Sequence, residues 1–149
     1  MTVNTNTLIT MRRIDEIIVH CTATPEGKDF KAKDIDAWHK QRGWKEIGYH
    51  YVVDLDGTIE KGRNDAKVGA HCSGRNAHSI GVVYVGGLDK NGKPKDTRTE
   101  AQKEALWKLL IQLIINYPNA TIHGHNFYST KACPCFCVET EYKNINLKG

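Results

Sequence analysis

Two histidines, a lysine and a cysteine fall within one short segment, His123-Gly124-His125-Asn126-Phe127-Tyr128-Ser129-Thr130-Lys131-Ala132-Cys133-Pro134. Imidazole and thiolate are natural donors for zinc. A catalytic zinc usually keeps three protein ligands and one open position. The segment is therefore one ligand short, and His20 is the upstream candidate. Two neutral imidazoles and one thiolate would leave zinc a net charge of about +1 and a bound water with a pKa near ~7. His123 shares strand parity with His125, so residue type alone leaves both open. The spacing is moderately specific, and the chain has no HExxH helix, GxGxxG turn or lysine-bearing P-loop. A competing chemistry uses Cys133 as a nucleophile with a histidine base, which leaves His20 without a task.

These residues need elements to bring them together. Residues 14–22, with the apolar run Ile17-Ile18-Val19, read as a buried central strand that His20 and Cys21 close on opposite faces. Residues 24–27 read as loop, and residues 31–42 as a helix with Ile35, Trp38 and His39 on one stripe and Gly43 as its stop. Residues 48–54 and 58–62 form a hairpin about Asp56-Gly57. Tyr49 and His50 should then face opposite ways. Residues 65–76 read as an irregular polar loop and residues 79–87 as a second interior strand. Thr99 and Gln102 form a capping box, opening a helix to about Asn116 whose stripe is Leu106, Leu109, Leu110, Leu113 and Tyr117. Pro118 ends it, a short strand over residues 120–123 delivers the histidine segment, and residues 138–144 suit a last short helix. Strands alternating with helices, plus one hairpin, predict an α/β single domain with a central mixed β-sheet flanked by helices. The domain is placed at residues 14–149, after a loose polar tail at 1–13.

At 149 residues with 40% hydrophobic and 26% charged positions, the chain is long enough for one core without staples. No apolar run approaches a membrane span and no signal-peptide core is seen, so synthesis in the cytoplasm is expected, with release or export preceding action elsewhere. The net charge of +4 suits an anionic partner such as a cell-wall polymer as well as it suits a solvated surface. No nucleic-acid module is recognisable. Five cysteines, three of them crowded at Cys133, Cys135 and Cys137, do not suit a full disulfide framework. Cys21 and Cys72 are expected to be small core or surface residues.

Several motifs occur in order: Ile18-Val19-His20-Cys21-Thr22-Ala23-Thr24, Trp38-His39, Gly48-Tyr49-His50, Asp56-Gly57-Thr58, Val68-Gly69-Ala70-His71, Asn76, Ser79-Ile80-Gly81-Val82 and Lys131-Ala132-Cys133-Pro134. Together they resemble the zinc-dependent N-acetylmuramoyl-L-alanine amidases, a family that includes amidase-type phage lysozymes and the peptidoglycan recognition proteins. The resemblance covers residues 14–136. It implies one catalytic zinc held by His20, His125 and Cys133, and catalytic roles for Tyr49 and Lys131. It also implies substrate-groove positions at His71 and Asn76. The reaction implied is hydrolysis of the amide between N-acetylmuramic acid and L-alanine in peptidoglycan. The Gly124-His125-Asn126 context and the step to Cys133 favour His125 over His123, while His50 and His78 are expected to be structural or peripheral. Peptidoglycan is the expected partner of a monomer, without nucleic acid or membrane, in a phage or prophage endolysin. The alternative is a non-catalytic peptidoglycan-binding module; binding-only relatives typically lack the zinc cysteine, which is present here as Cys133. One departure stands out: Cys135 and Cys137 occupy positions where the amidase-type lysozymes typically carry serine and aspartate. If Cys137 takes the aspartate's place, a carboxylate that can orient a ligand is lost, or the extra thiols compete for the metal; a surface role or incidental oxidation of these cysteines is the preferred expectation.

Overall fold

A computed structural model describes residues 12–146. The core strand β1, Glu16–Cys21, is almost wholly buried, as an apolar run without alternation requires. It lies between β5, Ser79–Tyr84, and β7, Thr121–Gly124. Outside β5 lies β3, Tyr51–Val53, and at the edge β4, Ile59–Lys61, giving the order β4-β3-β5-β1-β7. The three pairs β3-β5, β5-β1 and β1-β7 run parallel, and only β4 is antiparallel, returning from β3 through the expected hairpin. There Gly57 adopts φ 88°, a left-handed backbone that glycine accepts without a Cβ clash. The mixed sheet is as the sequence predicts.

Helices cover both faces. Helix α1, Ala32–Gln41, lays Ile35 and Trp38 over Ile47, Val52, Val83 and Val85. On the opposite face, α2, Glu100–Asn116, packs Leu106, Leu109, Leu110 and Leu113 on Ile17, Val19, Ile80, Val82 and Ile122. Each fully covered leucine contributes about 1.5–3 kcal/mol of transfer free energy. The capping box forms as expected: the Gln102 amide donates to Thr99 Oγ1 at 3.0 Å and the Thr99 amide to Gln102 Oε1 at 2.9 Å. The Gln102 side-chain amide also donates to the Val53 and Val85 carbonyls, tying α2 to the ends of two strands. The last helix, α3, is shorter than expected, Val138–Glu141.

Two local expectations fail. Thr24–Pro25, expected as loop, is strand β2 and pairs in parallel with β6, Gly87–Leu88. The amides flanking the proline, Thr24 and Glu26, make the bonds to Gly86 and Leu88, so the missing proline N–H leaves no ladder position unfilled. In addition, Tyr49 and His50 do not point apart: the rings of both approach His71, with centroids 6.4 and 5.9 Å away. The strand begins only at Tyr51, so the alternation that separates successive side chains does not extend to them. Of the expected tail at 1–13, residues 1–11 lie outside the described residues; Arg12 donates to the Asp65 and Ser79 carbonyls. Among the described residues no helix is long and apolar enough to cross a membrane.

Candidate metal centre

The site sits at the carboxyl ends of β1 and β7, the usual position for ligands on a parallel sheet. On β1 the alternation holds: Ile17, Val19 and Cys21 enter the α2-side core, and His20 faces the other way. Strand β7 lies beside β1, with Gly124 opposite Val19. Just past Gly124 the chain turns into a 3-10 turn, His125–Phe127, which breaks the parity that made His123 and His125 equivalent. The His125 ring lies 4.7 Å from that of His20. His123 instead hydrogen-bonds Glu139 at 3.0 Å and stacks on Phe127.

Cys133 arrives on the following loop, which is anchored to strand ends. The Cys21 amide donates to Cys133 Sγ at 3.1 Å, and the buried Tyr84 hydroxyl donates to the Pro134 carbonyl at 2.6 Å. One donor atom each from His20, His125 and Cys133 lie within 4.8 Å of one another.

The electrostatics suit a metal. Burial, then His71 and His125, hold the His20 pKa well below the usual histidine range. Burial and the charge of Lys131 lower that of His125. Both rings are therefore neutral and keep a lone pair. The Cys133 thiol is pushed down by the neighbouring Cys21 thiol, against burial and with help from the Cys21 amide and Lys131. Cys21 is pushed up in turn, so of the two thiols Cys133 is the one that gives up its proton more readily.

The other expected residues surround this centre. The Tyr49 ring lies 5.1 Å from His20, and burial together with the Cys133 and Cys21 sulfurs raises its phenol pKa. Lys131 is exposed on the rim. His71 and Asn76 line the same groove, of about 480 Å³, and no carboxylate lines it among the described residues. Asn76 Oδ1 accepts from the amides of His71 and Cys72, each at 2.9 Å, and so shapes the loop.

Sequence reasoning did not single out Arg42, Trp44 or Ser73, which also line the groove. The Gly43-Trp44 pair after α1 was the available signal. His39, expected as a surface or stripe residue, is buried, accepts from the Gly48 amide at 2.8 Å and reaches the groove wall. His50 is buried and accepts from the Gly81 amide. Cys21 and Cys72 are buried. Cys135 Sγ lies 3.9 Å from Cys21 Sγ, and Cys137 is exposed beside Thr140; neither joins the donor group. Glu139, not residue 137, supplies the nearby carboxylate, accepting from the Gly124 amide and His123.

A family model for N-acetylmuramoyl-L-alanine amidase matches residues 10–136. The chain belongs to the N-acetylmuramoyl-L-alanine amidase family. Relatives include the endolysin of Klebsiella phage KP32, 43% identical over 132 residues that cover 89% of this chain and 87% of that protein. The endolysin of Escherichia phage T7 is 43% identical over 133 residues, covering 89% and 88%. Among solved structures, the amidase LysC from Clostridium intestinale URNW superposes with a TM-score of 0.74 at 29% identity, covering 91% of this chain and 85% of that one. Drosophila PGRP-LB superposes at 0.69 with 25% identity, covering 82% and 75%. The family shares both the sheet and the flanking helices described above.

Proposed function

We propose that this chain is a zinc-dependent endolysin amidase. It hydrolyses the amide joining N-acetylmuramic acid to the L-alanine of the stem peptide, and acts on the cell wall after release. The observation that carries the reading is the convergence of His20, His125 and Cys133 within 4.8 Å at the floor of one groove. The donor set fits zinc: a tetrahedral ion with bonds of about 2.0–2.3 Å needs its donors about 3.5 Å apart, a small closure from this arrangement. When bound, zinc supplies Lewis acidity towards a carbonyl and an activated water.

The protein's own groups supply the rest. Tyr49, kept protonated by burial, presents a phenol donor beside His20 for the oxyanion that develops on the scissile carbonyl. Lys131 brings positive charge to the rim, stabilising the same oxyanion or passing a proton to the leaving amine. His71 and Asn76 form part of the substrate wall. Arg42 and Lys131, with no carboxylate lining the groove among the described residues, favour the carboxylate-bearing stem peptide of peptidoglycan. One chain carries the whole donor set, so the reading requires no second copy.

The deciding experiment is digestion of purified peptidoglycan with mass analysis of the released material, with and without chelator and with zinc restored. Free stem peptides beginning with L-alanine, lost on chelation and regained with zinc, are expected. Binding without release would make the chain a recognition module, and release that chelation leaves unchanged would sink the zinc centre.

A further inference from the structure

His20 has two ring nitrogens, and a metal takes one. The other, Nε2, lies 2.9 Å from Nδ1 of His71, with the two rings edge to face at 90°. An imidazole that binds a metal through Nδ1 carries its proton on Nε2, and the acceptor of that proton decides both tautomer and ring plane. We infer that His71 is a positioning residue: it accepts the Nε2 proton of His20 and so fixes how His20 presents Nδ1 to the zinc. The inference rests on the zinc centre proposed above and assigns His71 a task beyond lining the groove.

Three features hold His71 in this position. Its own Nε2 lies 3.2 Å from Oγ of Ser79, a fully buried residue. With Nδ1 accepting from His20, Nε2 carries the His71 proton and donates it to that hydroxyl. The His71 backbone amide donates to Asn76 Oδ1 at 2.9 Å, which sets the loop. Beneath the ring lie two glycines: a Cβ on Gly81 would sit 2.6 Å from His71 Cδ2, and a Cβ on Gly69 would also sit 2.6 Å from it. Non-bonded carbon atoms do not approach so closely, so the absence of side chains at Gly69 and Gly81 makes the space the ring occupies. Both ring nitrogens of His71 are engaged within the protein. No nitrogen is left for a substrate, and His20 is the route by which the ring acts on the chemistry.

The test uses the full chain in two measurements. Nitrogen-15 NMR of the metal-free wild type reads the His20 tautomer directly, and a proton on Nε2 is expected; a proton on Nδ1 overturns the proposal. Zinc affinity, read by competition with a chromophoric chelator, should fall about 10–100-fold in His71→Ala. His71→Asn, whose side-chain oxygen can replace the accepting Nδ1, should recover most of it. A folded His71→Ala that binds zinc as tightly as wild type overturns the role of His71. Should His71→Ala not fold, His71→Asn and the wild-type tautomer still decide. A wild type that binds no zinc overturns the metal centre itself, which is a distinguishable result.

Discussion

Two buried polar clusters in this domain are built in opposite ways. Around Asp65, Tyr51 and Tyr117 donate their hydroxyls to one carboxylate oxygen, at 3.0 and 2.6 Å, and Lys61 donates to the other. Burial works to raise the Asp65 pKa, but Lys61 and Tyr117 overcome it and hold the carboxyl below its usual range. Around His20 the groups are neutral imidazoles and a cysteine, and among the described residues no carboxylate lines their groove. The Asp65 cluster is charged and its acceptors are satisfied, so its free energy goes into holding β3, the loop before His71 and the end of α2 together. The His20 cluster gathers three donor atoms within 4.8 Å of one another, an arrangement that folding alone does not favour. The difference separates a polar group that serves stability from one that serves a ligand.

The sharpest way to break this contrast is Cys133→Ser. It should abolish release of stem peptide and tight zinc binding while leaving the metal-free unfolding midpoint near wild type; substantial turnover would refute the site. Lys131→Ala should retain zinc and lose about 10²–10³ in kcat, the usual loss for one oxyanion-stabilising group. If zinc is lost instead, Lys131 is structural. Asp65→Ala should do the reverse: unfolding in denaturant is expected to show a loss of about 2–4 kcal/mol, with activity per folded molecule unchanged.

The smallest effect is one of pH. Burial holds His39 and His50 at about 4, below the ordinary 6.5. Each ring accepts a backbone N–H, from Gly48 and Gly81, that protonation would expel. Their folded pKa values are depressed, so the unfolded chain takes up protons first. Their contribution is full above about 6.5 and is lost as pH falls towards 4. The groove histidines of the metal-free protein act in the same direction. Asp54, raised to about 7 by burial and by Glu60, runs the other way and gains stability over the same interval. Denaturant midpoints at pH 7.5, 6 and 5 should therefore fall with pH, more steeply in Asp54→Asn.

The sequence made local features legible where the signal was local. The run at Ile17-Ile18-Val19, the Asp56-Gly57 turn and the Thr99 capping box each carry their information within a few residues, and each formed. The donor set was legible because ordered motifs marked His20, His125 and Cys133. What stayed hidden depends on distant partners. Thr24–Pro25 has no periodicity of its own and becomes a strand only because Gly87–Leu88 lies beside it. Tyr49 and His50 were given opposite faces on the assumption of a strand that begins after them. The link from His71 to His20 spans 51 residues and depends on how two rings are turned. The residues around Asp65 read only as a polar loop, since nothing in that stretch announces the two tyrosines that come to it from β3 and from the end of α2.

Gly69 and Gly81 carry no functional group, yet they bear on which sequence changes the chain can absorb. A methyl at either position would collide with the His71 ring, and at Gly69 also with His50 Cε1 at 2.8 Å. Elsewhere a change from glycine to alanine is among the mildest a chain can make; here it would move an imidazole that touches a proposed metal ligand. The vulnerability of the chemistry to mutation thus extends beyond the residues that perform it, to two places where the protein must have no side chain.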